Sequence, residues 1–156
     1  MAPGKGREEG YSDEWYTPPE MVAALGAFDL DPCAGPMRHA AENWGRDVDG
    51  LSREWRGRVW MNPPYSNVHE WLARFVAHGN GVALVSARPE TRWFQKACAG
   101  ASGVLWIRGR VEFMRPDGRT THLPVGNALI GYGDQNGEAL ASSGLAGLMM
   151  RRWGIG

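Results

Sequence analysis

The chain has 156 residues, of which 43% are hydrophobic and 22% charged, and its formal net charge is zero; this balance is typical of one soluble globular domain with a sizeable core. No apolar run approaches the roughly 20 residues of a transmembrane helix, and the first residues lack the apolar region of a secretion signal, so we expect a cytoplasmic protein that binds no membrane. The two cysteines and four scattered histidines have neither the spacing of a disulfide framework nor that of metal ligands, so no disulfide and no metal site are expected.

The basic residues are nearly all arginine, because lysine occurs only at Lys5 and Lys96. Arginine forks suit phosphates and base edges. A GC-rich genome would produce the same bias through its codons. The arginine content therefore leaves binding to nucleic acid open.

The N-terminal half begins with a predicted flexible arm over residues 1–13, followed by a single domain over residues 14–156. Thr17 is expected to cap a first helix, which has proline in its first turn, carries Glu20 at its third position and stops at Gly26. The sequence AFDLDP, residues 27–32, then predicts a short apolar strand that a proline closes.

The next segment, GRVWMNPP at residues 57–64, repeats this design of apolar strand, polar residue and proline. Asn67 is expected to cap a helix over residues 68–78, in which apolar side chains recur on one face at three- and four-residue spacing. The continuous apolar run GVALVSA, residues 81–87, indicates a strand that is buried on both faces.

In the remaining chain, a helix is predicted at residues 90–99. Three further strands are predicted at residues 103–108, 110–114 and 127–132. The last two strands flank a polar stretch with a Pro-Asp-Gly turn at 116–118, and they are expected to form a closing hairpin. The tail, residues 137–153, is predicted to be weakly helical. This alternation predicts an α/β fold with a mostly parallel sheet, helices on both faces and an antiparallel strand near the C-terminal end.

Polar residues follow two of the predicted strands, Asp31 after the first and Asn62 after the second. Both are expected at the carboxyl edge of the sheet, where such folds bind ligands. The side-chain oxygen of Asn62 and the backbone carbonyl of Pro63 could accept hydrogen bonds from both N–H groups of an exocyclic amine. This would free the lone pair of the amine for attack on an electrophilic methyl group. The prolines Pro63 and Pro64 would keep the loop rigid, and Tyr65 offers a flat face for a base extruded from a duplex. The alternative is a proline-rich turn between strand and helix.

Four blocks of residues occur in a characteristic order: Trp15-Tyr16-Thr17-Pro18, then FDLDPCA at 28–34, then Asp49-Gly50-Leu51 with Trp55, then NPPYS at 62–66. Together they resemble the phage-type DNA N6-adenine methyltransferase family over about residues 14–133. The resemblance implies a Rossmann-like methyltransferase fold, S-adenosylmethionine as cofactor, DNA as partner and, for a phage-encoded protein, the host cytoplasm. The NPPY motif also occurs in enzymes that methylate other planar nitrogens, so cytosine N4, RNA and protein glutamine stay open as substrates.

The resemblance carries roles onto individual residues. It assigns the target base to Asn62, Pro63, Pro64 and Tyr65, and the cofactor to Trp15, Tyr16, Thr17, Asp31, Pro32 and Asp49. Asp49 could instead be a simple Asp-Gly turn, and Cys33 is expected to be an inert small hydrophobe.

The segment between Asp31 and Asn62 departs from the wider methyltransferase pattern. Only Gly35 stands where a glycine-rich turn usually follows the first strand. The span is also short, so the second strand, which normally carries a carboxylate for the cofactor ribose, is expected to be missing or stunted. Glu42 and Asp47 are both candidates for that carboxylate. A catalytically idle protein that binds cofactor or DNA is therefore a further alternative.

The chain has no room for a separate DNA-recognition domain, so we expect a monomer that reads DNA with the loop at 114–124 and its surroundings. The candidate arginines are Arg88, Arg92, Arg108, Arg110, Arg115 and Arg119. Their side chains could contact phosphates or guanine edges. The alternative is an ordinary solvated hairpin tip.

Overall fold

A computed structural model describes residues 15–152, so the predicted arm at 1–13 lies outside the described residues. Seven strands of the described chain form one sheet. They are β1 (Phe28–Asp31), β2 (Ala40–Asn43), β3 (Val59–Met61), β4 (Gly81–Ser86), β5 (Gly103–Ile107), β8 (Asn127–Tyr132) and β9 (Gly147–Arg151). Two short strands, β6 (Phe113–Met114) and β7 (Thr120–Thr121), form a separate antiparallel ribbon. The helices are α1 (Pro19–Ala23), α2 (Val68–His78), α3 (Arg92–Ala99) and α4 (Asp134–Ser142), and a 3-10 turn covers Tyr65–Asn67.

The sheet has the order β2-β1-β3-β4-β8-β5-β9. β1 pairs in parallel with β2 and β3, and β3 pairs in parallel with β4. β8 is antiparallel to both β4 and β5, so β5 runs in the same direction as the first four strands. β9 is antiparallel to β5 at the far edge. The predicted α/β architecture with a mostly parallel sheet is confirmed, with two antiparallel strands where one was expected.

Helices cover both faces of the sheet, as predicted. Successive side chains of a strand point to opposite faces, so Val59 and Met61 of β3 face one layer and Trp60 faces the other. The first two belong to a buried cluster with Phe75 of α2, to which α3 also contributes. Trp60 belongs to a second cluster with Val22 of α1, to which α4 also contributes. The central strands are therefore buried between two layers, and their ends are left to form a site.

The predicted cap of the first helix is wrong. The N-cap residue of α1 is Pro18, and no side chain caps the helix. The hydroxyl of Thr17 lies instead within hydrogen-bonding distance of Asn62. At α2, Asn67 does occupy the N-cap position, but its side chain makes no capping bond. In both places a tertiary contact or a local turn overrides the usual capping preference.

The predicted hairpin between residues 110–114 and 127–132 is also wrong. All residues of β8 are buried, and the strand needs a neighbour on each side, which β4 and β5 provide. In β6, by contrast, Phe113 is buried and Met114 is exposed, as in a strand with one buried face. β6 pairs with β7 across the Pro-Asp-Gly turn, and the ribbon stands apart from the main sheet.

The last element corrects the prediction of a weakly helical tail. Only its first part is helical, as the end of α4, and residues 147–151 form the edge strand β9. Gly144 has φ near 75°, which breaks a helix. A Cβ at Gly147 would lie 2.3 Å from the carbonyl oxygen of Trp106, so only glycine fits beside β5. The expected stunted second strand corresponds to β2, which has four residues, none of them buried.

None of the helices in residues 15–152 is both long enough and apolar enough to cross a bilayer.

Candidate active site

A large cavity lies at the carboxyl edge of the parallel strands. β1 ends at Asp31, and its neighbour β3 ends just before Asn62. The cavity has a volume of about 910 Å³, near the upper end of the roughly 300–1,000 Å³ of small-molecule pockets. Its lining includes Asn62 and Pro64 and all six residues expected to contact a cofactor: Trp15, Tyr16, Thr17, Asp31, Pro32 and Asp49. The structure therefore brings together groups that are far apart in the chain; Trp15 and Asn62, for example, are separated by 47 residues.

The amide of Asn62 is held in one orientation. Its Nδ2 donates hydrogen bonds to the backbone carbonyl of Trp15 at 2.7 Å and to Oγ1 of Thr17 at 3.2 Å. A carbonyl oxygen can only accept, so the amide nitrogen and not the oxygen must face Trp15. The two bonds use both N–H groups. Oδ1 is left as the acceptor that the side chain can offer to a ligand.

Cys33 fastens the backbone at the same point. Its thiol donates to the backbone carbonyl of Asn62 at 3.6 Å, and its N–H donates to Oδ1 of Asp31 at 3.2 Å. Burial raises the pKa of the Cys33 thiol well above its ordinary value, and the neighbouring Asp31 raises it further. The thiol therefore keeps its proton and acts as a donor that links the ends of β1 and β3. The sequence predicted an inert small hydrophobe at this position and so missed the hydrogen bonds of Cys33. Its position two residues after Asp31 was the signal that could have indicated them.

Asp31 places a buried carboxyl group in the cavity wall. Asp31 is 3% exposed. Burial raises the pKa of this carboxyl to about 7, against the lowering effect of the hydrogen bond from the Cys33 N–H. A buried carboxylate without a counter-ion is unfavourable. This position therefore favours a ligand that brings a positive charge or a hydrogen-bond donor.

The turn at residues 45–51 forms another part of the cavity wall. A Cβ at Gly50 would lie 2.2 Å from the carbonyl oxygen of Pro32, so the turn approaches the end of β1 more closely than any other residue type would permit. Nε1 of Trp55 donates to the carbonyl of Gly50 at 2.7 Å and fastens the turn. Asp49 is thus both part of a turn and part of the cavity wall.

Of the two carboxylates considered for a ribose, only one lies in the cavity. Asp47 lines it. Glu42 lies on β2, accepts a hydrogen bond from Nε1 of Trp44 at 2.8 Å and lines a separate surface cleft. Arg46 and His39, which the sequence did not single out, also line the large cavity.

The single glycine after β1 has a steric role. A Cβ at Gly35 would lie 2.9 Å from the ring of Tyr16. The ring therefore packs directly on the loop that follows Asp31. In this way the segment Trp15-Tyr16-Thr17 closes one side of the cavity.

The rest of the Asn-Pro-Pro-Tyr stretch lies beside the cavity and not in its lining, except for Pro64. Pro63 is buried. Tyr65 begins the 3-10 turn, is half-buried, and packs against the hydrophobic cluster that contains Trp60. The ring expected to stack on a base is thus partly engaged in the core.

The β6–β7 ribbon is joined to the same segment. Tyr16 and Met114 exchange two backbone hydrogen bonds, of 2.9 and 3.0 Å, in an antiparallel bridge. Arg115 lies with its guanidinium 5.5 Å from the centre of the Trp15 ring. Arg119 is exposed near the tip of the ribbon.

The other candidate arginines also follow strands at this edge. Arg88 follows β4 and forms an exposed ion pair with Glu90 at 2.7 Å. Arg108 and Arg110 follow β5, and Arg92 begins α3; all three are exposed. The described residues include no group of three or more His, Cys, Asp or Glu side chains that could hold a metal ion.

Comparison with known proteins gives a family match. The family model described as DNA N-6-adenine-methyltransferase (Dam) matches residues 6–128. One curated relative is the DNA N-6-adenine-methyltransferase of Haemophilus phage HP1 (strain HP1c1), which is 33% identical over 95 residues, covering 56% of this chain and 55% of the relative. The chain thus matches about half the length of that relative. No solved structure matches the chain.

Proposed function

Because the chain belongs to the DNA N-6-adenine-methyltransferase family, we propose that it transfers a methyl group from S-adenosylmethionine to the N6 amine of adenine in DNA. The observation that carries the proposal is the fixed amide of Asn62, which leaves Oδ1 as an acceptor on a residue that lines a cavity of about 910 Å³. A target amine and a methyl donor could meet at this point.

The charge of the cavity supports S-adenosylmethionine as the cofactor. This molecule carries an ammonium and a sulfonium group, and its ribose and adenine offer further donors. The lining contains three acidic side chains, of Asp31, Asp47 and Asp49, against one arginine, Arg46. We assign Asp31 to the ammonium group, Asp47 to the ribose hydroxyls and Asp49 to the adenine amine. When bound, the cofactor supplies an electrophilic methyl group.

The chain's own part in the reaction is alignment. The exocyclic amine of adenine is a poor nucleophile because its lone pair is delocalised into the ring. Oδ1 of Asn62 and the backbone carbonyl of Pro63 would accept hydrogen bonds from its two N–H groups. This takes the lone pair out of conjugation with the ring and directs it at the methyl group. Holding two reactants in such a geometry can supply roughly 7–11 kcal/mol. Pro64 stiffens the loop, and Tyr65 would contact the extruded base.

DNA would lie across the carboxyl edge of the sheet. The arginines that follow β4 and β5, together with those of the β6–β7 ribbon, would contact its backbone. They are Arg88, Arg92, Arg110, Arg115 and Arg119. We propose that residues 14–156 act as a single domain and a monomer in the cytoplasm, which would be the host cytoplasm if a phage encodes the protein.

The test is methyl transfer from labelled S-adenosylmethionine to duplex DNA, RNA and protein, followed by identification of the modified base. The proposal predicts label in DNA as N6-methyladenine, and loss of that label in Asn62→Ala. Label in cytosine, RNA or protein would keep the chemistry and change the substrate. Cofactor binding without transfer to any of them would indicate an idle binding protein.

A further inference from the structure

Thr17 is a buried polar residue whose hydroxyl is directed at Asn62. Thr17 is 1% exposed. A threonine placed just before a helix commonly caps it, yet α1 has Pro18 at its N-cap and no capping side chain. Oγ1 of Thr17 accepts instead from Nδ2 of Asn62 at 3.2 Å, across 45 residues of chain.

The position of Thr17 is set from both sides. Tyr16, the preceding residue, is held by the antiparallel bridge to Met114, and Pro18 restricts the backbone that follows. The Thr17 hydroxyl thus belongs to a fixed segment and not to a loose terminus.

The chemistry of an amide makes this contact consequential. A half-turn of the Asn62 side chain about its last bond would exchange Oδ1 and Nδ2. Oδ1 would then face the Trp15 carbonyl, acceptor against acceptor, and an N–H group would face the target amine, donor against donor. The Trp15 carbonyl, which can only accept, favours the productive orientation, and the Thr17 hydroxyl, which accepts the second N–H of the amide, holds it there. The Trp15 carbonyl belongs to the backbone, so of the two groups only the Thr17 hydroxyl can be removed by a side-chain substitution.

We propose that Thr17 is a positioning residue for methyl transfer: its hydroxyl fixes the Asn62 amide so that Oδ1 accepts a hydrogen bond from the target amine. This inference rests on the proposed function and goes beyond it, because Thr17 was expected to cap a helix and to contact the cofactor, not to orient Asn62. The two roles make different predictions. A cofactor contact changes cofactor affinity, whereas a positioning contact changes the rate at saturating cofactor.

The experiment compares two variants by single-turnover methyl transfer to duplex DNA at saturating labelled cofactor. Thr17→Val keeps the shape and removes the acceptor, and it should lower the rate by about 10- to 100-fold. Thr17→Ser keeps the hydroxyl and should stay near the wild-type rate. Calorimetry with S-adenosylmethionine should give nearly equal affinities for all three proteins, and thermal unfolding should show that all three are folded.

A second arm repeats the Thr17→Val substitution in an Asn62→Ala background. With no amide to orient, the second substitution should leave the remaining rate nearly unchanged. A further loss as large as in the wild type would overturn the proposal and assign Thr17 to general structural support. So would a Thr17→Val enzyme whose whole deficit disappears as cofactor concentration is raised, or one that is as fast as the wild type. A wild-type protein that methylates no DNA, RNA or protein would overturn the proposed function itself, and this inference with it.

Discussion

The guanidinium of Arg115 lies 5.5 Å from the centre of the Trp15 ring, and this contact joins the β6–β7 ribbon to the wall of the cavity. The adjacent bridge between Tyr16 and Met114 strengthens the same connection. The segment at residues 15–17 therefore has the ribbon on one side and Asn62 on the other. Residues 15–17 therefore support both the ribbon, which is proposed to bind DNA, and Asn62, which is proposed to bind the target base.

The arginines of the ribbon should account for part of the affinity for DNA. We expect Arg119→Ala to weaken binding and to lower the slope of log affinity against log salt by about one, as for one phosphate contact. Arg115→Ala should also disturb Trp15, so it should lower cofactor affinity as well as DNA affinity. Fluorescence anisotropy over a range of salt concentrations measures the first effect and calorimetry the second.

The matched control for these variants is Arg56→Ala. Arg56 is exposed, with 85% of its side chain accessible, and it precedes β3 at the amino end of that strand, away from the cavity edge. Arg56→Ala removes the same charge as the ribbon variants and should leave the slope of log affinity against log salt unchanged. If the ribbon variants behave like this control, the DNA contacts must lie elsewhere, for example at Arg88 and Arg92.

The acidic residues of the cavity should govern cofactor binding. Asp31→Ala and Asp49→Ala should each weaken the binding of S-adenosylmethionine, because each removes a carboxylate from the lining. Charge-assisted hydrogen bonds are typically worth about 1.5–3 kcal/mol, so we expect losses of roughly 10- to 100-fold. Glu42→Ala is the control, since Glu42 lies in a separate cleft. Unchanged affinity in Asp31→Ala would remove that residue from the cofactor site.

The buried carboxyl of Asp31 should make stability depend on pH. Burial raises the pKa of Asp31 to about 7 in the folded protein, from an ordinary value of 3.8. Between these values the folded state keeps a proton that the unfolded chain has lost, so the free energy of unfolding falls as pH rises through this window. At about 1.4 kcal/mol per pKa unit the loss is on the order of 4 kcal/mol by pH 7.

The comparison that isolates this effect is wild type against Asp31→Asn without cofactor. Asparagine carries no charge, so the stability of the variant relative to the wild type should increase between about pH 4 and about pH 7. Urea denaturation at several pH values measures the difference. Parallel pH profiles for the two proteins would show that the carboxyl of Asp31 does not titrate in this range.

The sequence predicted the sheet edge better than the contacts made there. Asp31 and Asn62 could be placed together because both follow apolar runs, and neighbouring parallel strands end at one edge. The run at residues 127–132 indicated a strand, but local pattern does not identify the neighbours of a strand. The Thr17 hydroxyl was assigned to a helix cap because capping is a local rule. Its bond to Asn62 depends on how distant segments pack, which no local pattern encodes.

Tyr65 should contribute to both the core and the site. Its ring packs against the cluster that contains Trp60, so Tyr65→Ala should lower the free energy of unfolding. It should also weaken the hold on an extruded base by about 1–3 kcal/mol. Tyr65→Phe keeps the ring and should be much milder in both respects. Urea denaturation and single-turnover kinetics separate the two effects. A Tyr65→Ala protein that is less stable but methylates normally would limit Tyr65 to packing.

The strongest single effect should come from Asn62, because its Oδ1 is the acceptor that the surrounding bonds leave for the target amine. Asn62→Ala should lower the single-turnover rate on duplex DNA by two to three decades, since one acceptor of this kind is typically worth about 3–4 kcal/mol in the transition state. Cofactor affinity, measured by calorimetry, should be nearly unchanged. Asn62→Asp should lose less than Asn62→Ala, because a carboxylate still accepts the bond, but it should stay slower than the wild type, because its second oxygen faces the Trp15 carbonyl. An Asn62→Ala enzyme as fast as the wild type would reduce the stretch to a turn between strand and helix.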